Sequence, residues 1–422
     1  MGSFSIPLSG LTADSTALSA IANNLANQNT AGYKDSSVLF TDLFYQNLGT
    51  DGAGDPIQLG AGASVGSMPT LFTQGSVQST GVPTDVAIQG NGFFVVQQNG
   101  VTSYTRDGDF SIDQNNYLVT DEGQQVMGYP AVNGVVNTGA GLSPLQLGAG
   151  TISPPTATGN VDIQTNLDAS AAVGDSYSTP VTIYDSLGTA HTLTFTFTKT
   201  AENTWSYQLS IPSGDLNPIK GQDQTGILAT GTLTFDGDGN LIGPTDGNGN
   251  LLTNISVPIT SLADGANDMT FNWNLVNGTT PQLTQVAGQS STSSTQQDGA
   301  SSGTLTGFSI GSDGTITGTF SNGKTAALGQ LALANFANEQ GLERVGNTDY
   351  TETLASGQAV VGTPGTGGRG TLAGGSLELS NVDISSEFAN LIVAQQAFEA
   401  NAKAVTTFDQ ISQDTINLIQ PT

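Results

Sequence analysis

The chain has 422 residues, of which 55 are Gly and none Cys, and 35 Asp plus Glu face only 8 Lys plus Arg, a net charge of −27. The lack of Cys excludes disulfides, thiol nucleophiles and Cys-ligated zinc, and so few cations leave no basic patch for tracking phosphates, which excludes nucleic-acid binding. No apolar run approaches the roughly 18 residues of a membrane-spanning helix, so no membrane insertion is expected.

Residues 9–27, SGLTADSTALSAIANNLAN, open the chain with a helical pattern. Leu11, Leu18, Ile21 and Leu25 make one apolar stripe, widened by Ala17 and Ala22, and Gly32 ends it. A helix this short is marginal alone in water and needs a partner. The start, MGSFSIPLSG, lacks the charged and apolar regions of a cleaved leader, so export would use a leader-independent route. Residues 49–67 are rich in Gly and Ala and read as an irregular connector.

From Gly75 the pattern turns to strands: short runs such as VAIQ, FFVVQQ and VTSYT alternate with Gly, Asn and Asp turns. Residues 137–160 are rich in Gly, Pro and Thr and read as a linker. A second β region follows. In HTLTFTFTKT (191–200), Leu193, Phe195 and Phe197 alternate with Thr as in a half-buried strand, and WSYQLSI, GTLTFDGDGNLIG and MTFNWNL repeat the pattern. Residues 288–303 read as a flexible low-complexity crossing, after which strands resume. Gly365, Gly367, Gly368 and Gly370 mark a hinge in the stretch 362–375.

The final stretch, 381–422, has no Gly and Pro only at Pro421. Ile384, Phe388, Leu391, Gln395, Phe398, Ala402 and Val405 step by four and three, a heptad seam that drifts on to Phe408 and Ile411. Asp383 suits the N-cap and Glu387 the first turn. The fold class expected is mainly β with α-helical termini: a terminal antiparallel coiled coil plus two or more β-rich domains, the outer inserted into the inner. Residues 1–35 and 376–422 would be the paired helices; 36–70 and 361–375 the connector and hinge; 71–145 and 303–360 the inner β domain; 158–287 the inserted outer domain; 146–157 and 288–302 the linkers.

Motifs for chemistry are weak. GTFSNGKT (318–325) matches a phosphate-loop spacing, but Asn322-Gly323 reads as a hairpin turn and no helix opens at the Lys-Thr. DGDGN (236–240) and DGNGN (246–250) lack the sixth-position Gly and twelfth-position Glu of a calcium loop and read as turns, with a weak calcium site as the alternative. The lone His191 reads as a strand or turn residue. No catalytic residues, cofactor site or metal site is assigned, and no enzyme is expected.

Several blocks resemble the rod and hook group of bacterial flagellar axial proteins. They are IANNLAN with Thr30 and Gly32-Tyr33, IQGNGFFVV, SYTRDGDFSIDQNNYLVTDEGQQVMGY, LALANFANEQGLERVGNTDYTET and the C-terminal NVDISSEFANLIVAQQAFEANAKAVTTFDQI. They cover about half the chain, at its two ends. The extra region at 158–287 is similar to the plan of the hook members, with a distal rod member as the alternative; a secreted acidic β stalk or adhesin is an alternative of another class. The resemblance implies helical ends at the centre of a tube, with β domains layered outward. It implies a helical homopolymer outside the cell that transmits torque while bent, as a universal joint. Partners implied are copies of itself, the rod, hook cap and hook-filament junction proteins, and the flagellar type III export apparatus. Leu11, Leu18, Ile21, Leu25, Phe388, Leu391, Phe398, Val405, Phe408 and Ile411 would carry inner packing and assembly.

Overall fold

The computed structural model describes residues 5–147, 152–217, 225–278 and 280–419. Residues 1–4, 148–151 and 420–422 of the expected helix ends and linker, and 218–224 and 279 of the expected inserted domain, lie outside the described residues. The chain is mainly β with a helix at each end, α1 (Ser5–Ala26) and α2 (Ile384–Ile419). It divides into two compact units. One comprises Met1–Gly148, Gly307–Gly318 and Ala326–Thr422; the other comprises Ala149–Thr306 and Thr319–Thr325.

The first unit is built on an antiparallel sheet. Its order is Thr325–Leu331, Gln125–Val132, Phe93–Gln98, Val101–Thr105, Asp349–Thr351, Glu343–Gly346. The run Phe93-Phe94-Val95-Val96 is buried on both faces, because alternate side chains enter different cores. Phe94 and Val96 pack with Val86, Ile88, Phe110 and Leu331, whereas Phe93 and Val95 pack with Tyr104, Met127 and Tyr350. Sequence distance is no obstacle: strands near residue 100 pair directly with strands near 350.

The second unit is a sandwich of two sheets. One is an antiparallel meander of Ser176–Tyr184, Ala190–Ala201, Thr204–Ser210, Ile227–Phe235 and Leu241–Gly243. The other centres on Asn160–Asp168, which pairs in parallel with Met269–Asn274 and Leu283–Val286 and antiparallel with Ser291–Gln297. The expected alternation holds: His191, Leu193, Phe195, Phe197 and Lys199 share the buried face. Trp273 lies at the heart of the core, edge-on to Phe195 at 5.1 Å and Tyr207 at 5.2 Å.

In three segments read as loose, described residues form strands. Residues 49–67 form most of a β ribbon, Gln46–Thr50 against Pro56–Leu59 and Leu39–Asp42 against Ala63–Ser67. Residues 288–303 contain Ser291–Gln297, which takes the edge beside Asn160–Asp168. Residues 137–160 contain Ile152–Ser153, paired with Gly303 and Thr304. Polar, Gly-rich composition signals weak local preference, but a partner strand supplies the ladder bonds regardless of side-chain polarity.

One turn recurs. At Asp51, Asp113, Asp185, Asp236 and Asp246 a carboxylate oxygen accepts backbone N–H bonds from the residues two and four positions on. The residue three on is Gly54, Asn116, Gly188, Gly239 or Gly249, each with positive φ. In DGDGN and DGNGN the leading carboxylate is therefore engaged by its own turn. GTFSNGKT is also a hairpin: Gly323 N–H donates to Phe320 O, and the Lys324 ammonium donates to Asp298 O at 2.8 Å.

Candidate assembly surface

The two terminal helices lie antiparallel. Asn24 Nδ2 donates to Glu387 Oε2 at 3.4 Å near one end, and Asn401 Nδ2 donates to Asp14 Oδ2 at 2.8 Å further along. On α1 the face toward α2 is small: Gly10, Ala13, Ala17, Ala20 and Asn24, spaced by three and four. Small residues let two helix backbones approach closely. At Gly10 an added Cβ would lie 2.7 Å from Asn401 Nδ2. The α2 residues sharing a face with Glu387 and Asn401 are Leu391, Ala394, Phe398, Val405 and Phe408, all partly buried.

The seam keeps Leu391, Phe398 and Val405 of the sequence reading and differs from it at two steps. Phe388 and Gln395 face outward, and Glu387 and Ala394 stand in their places. The reason is polar: Asn24 is buried, and its amide also donates to Ser36 O while its oxygen accepts from the Tyr33 hydroxyl, so Glu387 must turn inward to meet it. Asp383 caps α2 as expected, accepting from Ser385 N at 2.8 Å. Among the expected packing residues, Leu11, Leu18, Ile21, Leu25, Leu391, Phe398, Val405 and Phe408 are half-buried, while Phe388 and Ile411 are exposed.

Many large apolar side chains remain open on α2 and the ribbon. Phe388, Ile392, Val393, Ile411 and Ile416 on α2 are all more than half exposed, Val393 by 66%. The ribbon adds Phe40, Tyr45, Leu48 and Ile57, and Phe44 at 95% exposure. A groove of about 350 Å³ runs between the helices and the start of the ribbon, lined by Ala17, Ala20, Ile21, Phe40, Val393 and Ala397 among others. Solitary exposed apolar side chains are ordinary; the groove that gathers Ile21, Phe40 and Val393, flanked along α2 by further exposed apolar side chains, is what marks an interaction surface.

Below the helix pair, a buried ionic clasp joins three distant parts of the chain. Glu378, just before α2, takes the Lys34 ammonium on Oε1 at 2.5 Å and Arg106 on Oε2 at 3.4 Å, with all three side chains essentially inaccessible. Gly75 N–H also donates to Glu378, and Lys34 to Thr73 O. Burial pushes both cations below their ordinary pKa range, against the opposing pull of Glu378. Asn381 completes the tie, accepting from Asp35 N and donating to Leu71 O. Gly32 permits the turn into this clasp: its φ is +67°, and a Cβ would lie 2.5 Å from Asp107 N. Asp107 is itself pushed up to about 7, first by burial and then by Asp109, Glu122 and Asp121 nearby.

The Gly-rich stretch expected as a hinge is a hydrogen-bonded turn. Gly365, Gly367 and Gly368 have positive φ. Arg369 donates to Thr363 O, Val360 O and Thr366 Oγ1, and Gly370 N–H donates to Asn91 O. A hinge motion there would have to break these bonds.

Sequence reasoning missed the Ala seam, the Asn24–Glu387 pair and the Lys34–Glu378–Arg106 clasp. Ala13, Ala17, Ala20 and Asn24 do keep heptad spacing, and Lys34 is one of few cations in the chain, but neither fact names the partner that each one meets.

Comparison with known proteins gives four family matches in chain order. Residues 6–34 match the flagella basal body rod protein family, and 87–167 the flagellar hook protein FlgE/F/G D1 domain. Residues 154–300 match the flagellar basal body protein FlaE D2 domain, and 373–418 the flagellar basal body rod FlgEFG protein C-terminal family. Among whole proteins, the chain is 36% identical to the flagellar hook protein FlgE of Escherichia coli, over 98% of this chain and 99% of that one. It is 36% identical to that of Salmonella typhimurium over 99% and 100%. It is 34% identical to that of Treponema pallidum over 97% and 98%.

Proposed function

Since this chain belongs to the flagellar hook protein family, we propose that it is a structural subunit that polymerises with its own copies into the flagellar hook, a tubular joint carrying torque from rod to filament. The observation that carries the mechanism is the apolar surface left open on the terminal helices and ribbon. The small-residue face of α1 is spent on α2, so the flanks bearing Leu11, Leu18, Ile21 and Leu25, together with Phe388, Ile392, Val393 and Ile411, are available to neighbouring subunits. Burying one large apolar side chain is worth roughly 1.5–3 kcal/mol, and a polymer repeats the gain at every subunit.

In this reading the helices form a continuous inner wall, as a coiled-coil seam shared between molecules, and the β units ride outside it. Bending leaves inner contacts in place while outer units slide. The subunit leaves the cell by the flagellar type III route, is added beneath the hook cap, and joins the rod at one end and the hook-filament junction proteins at the other. The lack of Cys suits export of an unfolded chain, and family membership supports each of these partners.

The test is Val393→Asp in the full chain. Val393 is exposed in the single subunit, so its thermal unfolding and circular dichroism should match those of the parent. A carboxylate buried between subunits should abolish tube formation under the electron microscope. Normal tubes from this variant would overturn the proposal.

A further inference from the structure

The most concentrated chemistry outside the assembly surface lies in the sandwich, around His191. We propose that His191, Asp185 and Asp264 form a binding site for one divalent first-row transition cation, of the zinc or cobalt kind.

Two turns and the start of one strand converge there. His191 opens the strand Ala190–Ala201 on its buried face, and Asp185 begins the turn just before that strand. Asp264 comes from the turn after the strand Asn254–Ile259, and that turn is pinned close because Asn267 N–H donates to Ser186 Oγ at 3.0 Å. His191 Nε2 lies 3.1 Å from Asp185 Oδ2 and 3.9 Å from Asp264 Oδ2, and one ligand atom from each residue lies within 4.8 Å of the others. Ligands held at roughly 2.0–2.1 Å from one ion sit about 2.9 Å apart at a right angle and about 4.1 Å apart when opposite. The two distances from Nε2, 3.1 and 3.9 Å, fall between these limits, so a small side-chain shift seats one ion on all three donors.

The surroundings orient the donors. His191 Nδ1 lies 2.9 Å from Asp215 Oδ2. A proton on Nδ1 donated to Asp215 leaves the Nε2 lone pair aimed at two more carboxylates, an arrangement that a cation between them satisfies. A carboxylate behind a ligating imidazole is the usual outer-shell partner of a metal-bound histidine. Asp185 is held equally firmly: its Oδ1 accepts from Leu187 N and Thr189 N, while its Oδ2 faces His191 Nε2 at hydrogen-bond distance, a contact that an ion would replace. His191 and Asp185 are buried and Asp264 is exposed, so the ion would have two dry ligands and one open side for water. The imidazole selects a borderline cation over magnesium or calcium, which take all-oxygen sets. Bound there, the ion would tie the 185–189 turn, the start of the 190–201 strand and the 261–268 turn together, bracing one end of the sandwich.

The test uses the full-length subunit stripped with chelator and dialysed. Zinc chloride titration by calorimetry should show one equivalent bound, with thermal unfolding of the sandwich raised by on the order of 5 °C at saturation. Cobalt(II) should give visible absorption saturating at the same stoichiometry, and magnesium should compete with neither. Asp264→Asn, at an exposed position, should fold normally and weaken zinc at least about tenfold; His191→Gln should remove binding. No stoichiometric binding up to millimolar zinc would overturn the proposal and leave the cluster as an imidazolium held by carboxylates. So would unchanged affinity in Asp264→Asn, which decides the matter even if His191→Gln fails to fold. None of these readouts depends on polymerisation.

Discussion

In the sandwich, Trp205, Trp273, Phe195, Phe197 and Phe271 are essentially inaccessible, and every large aromatic of the core meets another part of the same unit. Among the described side chains of the terminal helices the large apolar ones are half-buried or exposed, and the buried positions of α1 include Ala13, Ala17, Ala20 and Asn24. One region buries its apolar surface within itself; the other keeps contact with its helix partner narrow and leaves the larger side chains for other molecules. The difference lies in residue size at the internal seam. Small residues make a close but thin interface, which defines how the helices pair without exhausting the apolar surface they carry.

The severest challenge to this contrast is Trp273→Ala. Removing a fully buried aromatic costs about 3–5 kcal/mol. Denaturant unfolding should show the sandwich weakened by that amount, with the helical signal at 222 nm unchanged under native conditions. If the helices melted with the sandwich at equal cost, the two regions would not be the separate packing problems described.

A smaller effect concerns pH. Asp107 is pushed up to about 7 in the folded chain against an ordinary 3.8, so the folded state keeps its proton where the unfolded state has lost it. Stability from this group is therefore full below about pH 4, falls as pH rises from there toward 7, and stays low above. Asp107→Asn should match the parent at pH 4 and exceed it at pH 8. The gain should be a few kcal/mol at most, since each tenfold change in proton affinity is worth about 1.4 kcal/mol. A stability difference between parent and variant that stayed constant from pH 4 to 8 would show that Asp107 does not titrate with folding.

The mildest substitution probes the helix side. Asp383→Ala removes the cap that takes Ser385 N–H and should cost about 1 kcal/mol. Because α2 gains little from burial within one subunit, this loss should appear as fraying in hydrogen exchange of the first α2 turn. Protection equal to the parent's would show that the helix is held by more than its cap and seam.

How much was legible can be traced residue by residue. The strand 190–201 was readable because period-two alternation of Leu193, Phe195 and Phe197 has one structural meaning. The helix 384–419 was readable from the absence of Gly and the recurrence of apolar residues at helical spacing. Two steps of its seam, Phe388 and Gln395, were placed one residue off because exposed Phe388 and buried Glu387 invert the usual hydrophobicity rule. That inversion depends on Asn24, which is remote in sequence. The strand Ser291–Gln297 was illegible for a related reason: nothing in STSSTQQ favours a strand until Asn160–Asp168 offers an edge.

The order of elements, the β character of the middle and the helical ends thus follow from local sequence, since periodicity and turn chemistry act between near neighbours. Which helix face is buried, which polar runs become strands, how Lys34 and Arg106 come to share Glu378, and why His191 sits among carboxylates are set by the folded chain alone. Each of those depends on groups far apart along the chain, whose meeting no local pattern encodes and whose burial leaves only a few pairings that keep charge and hydrogen bonds satisfied.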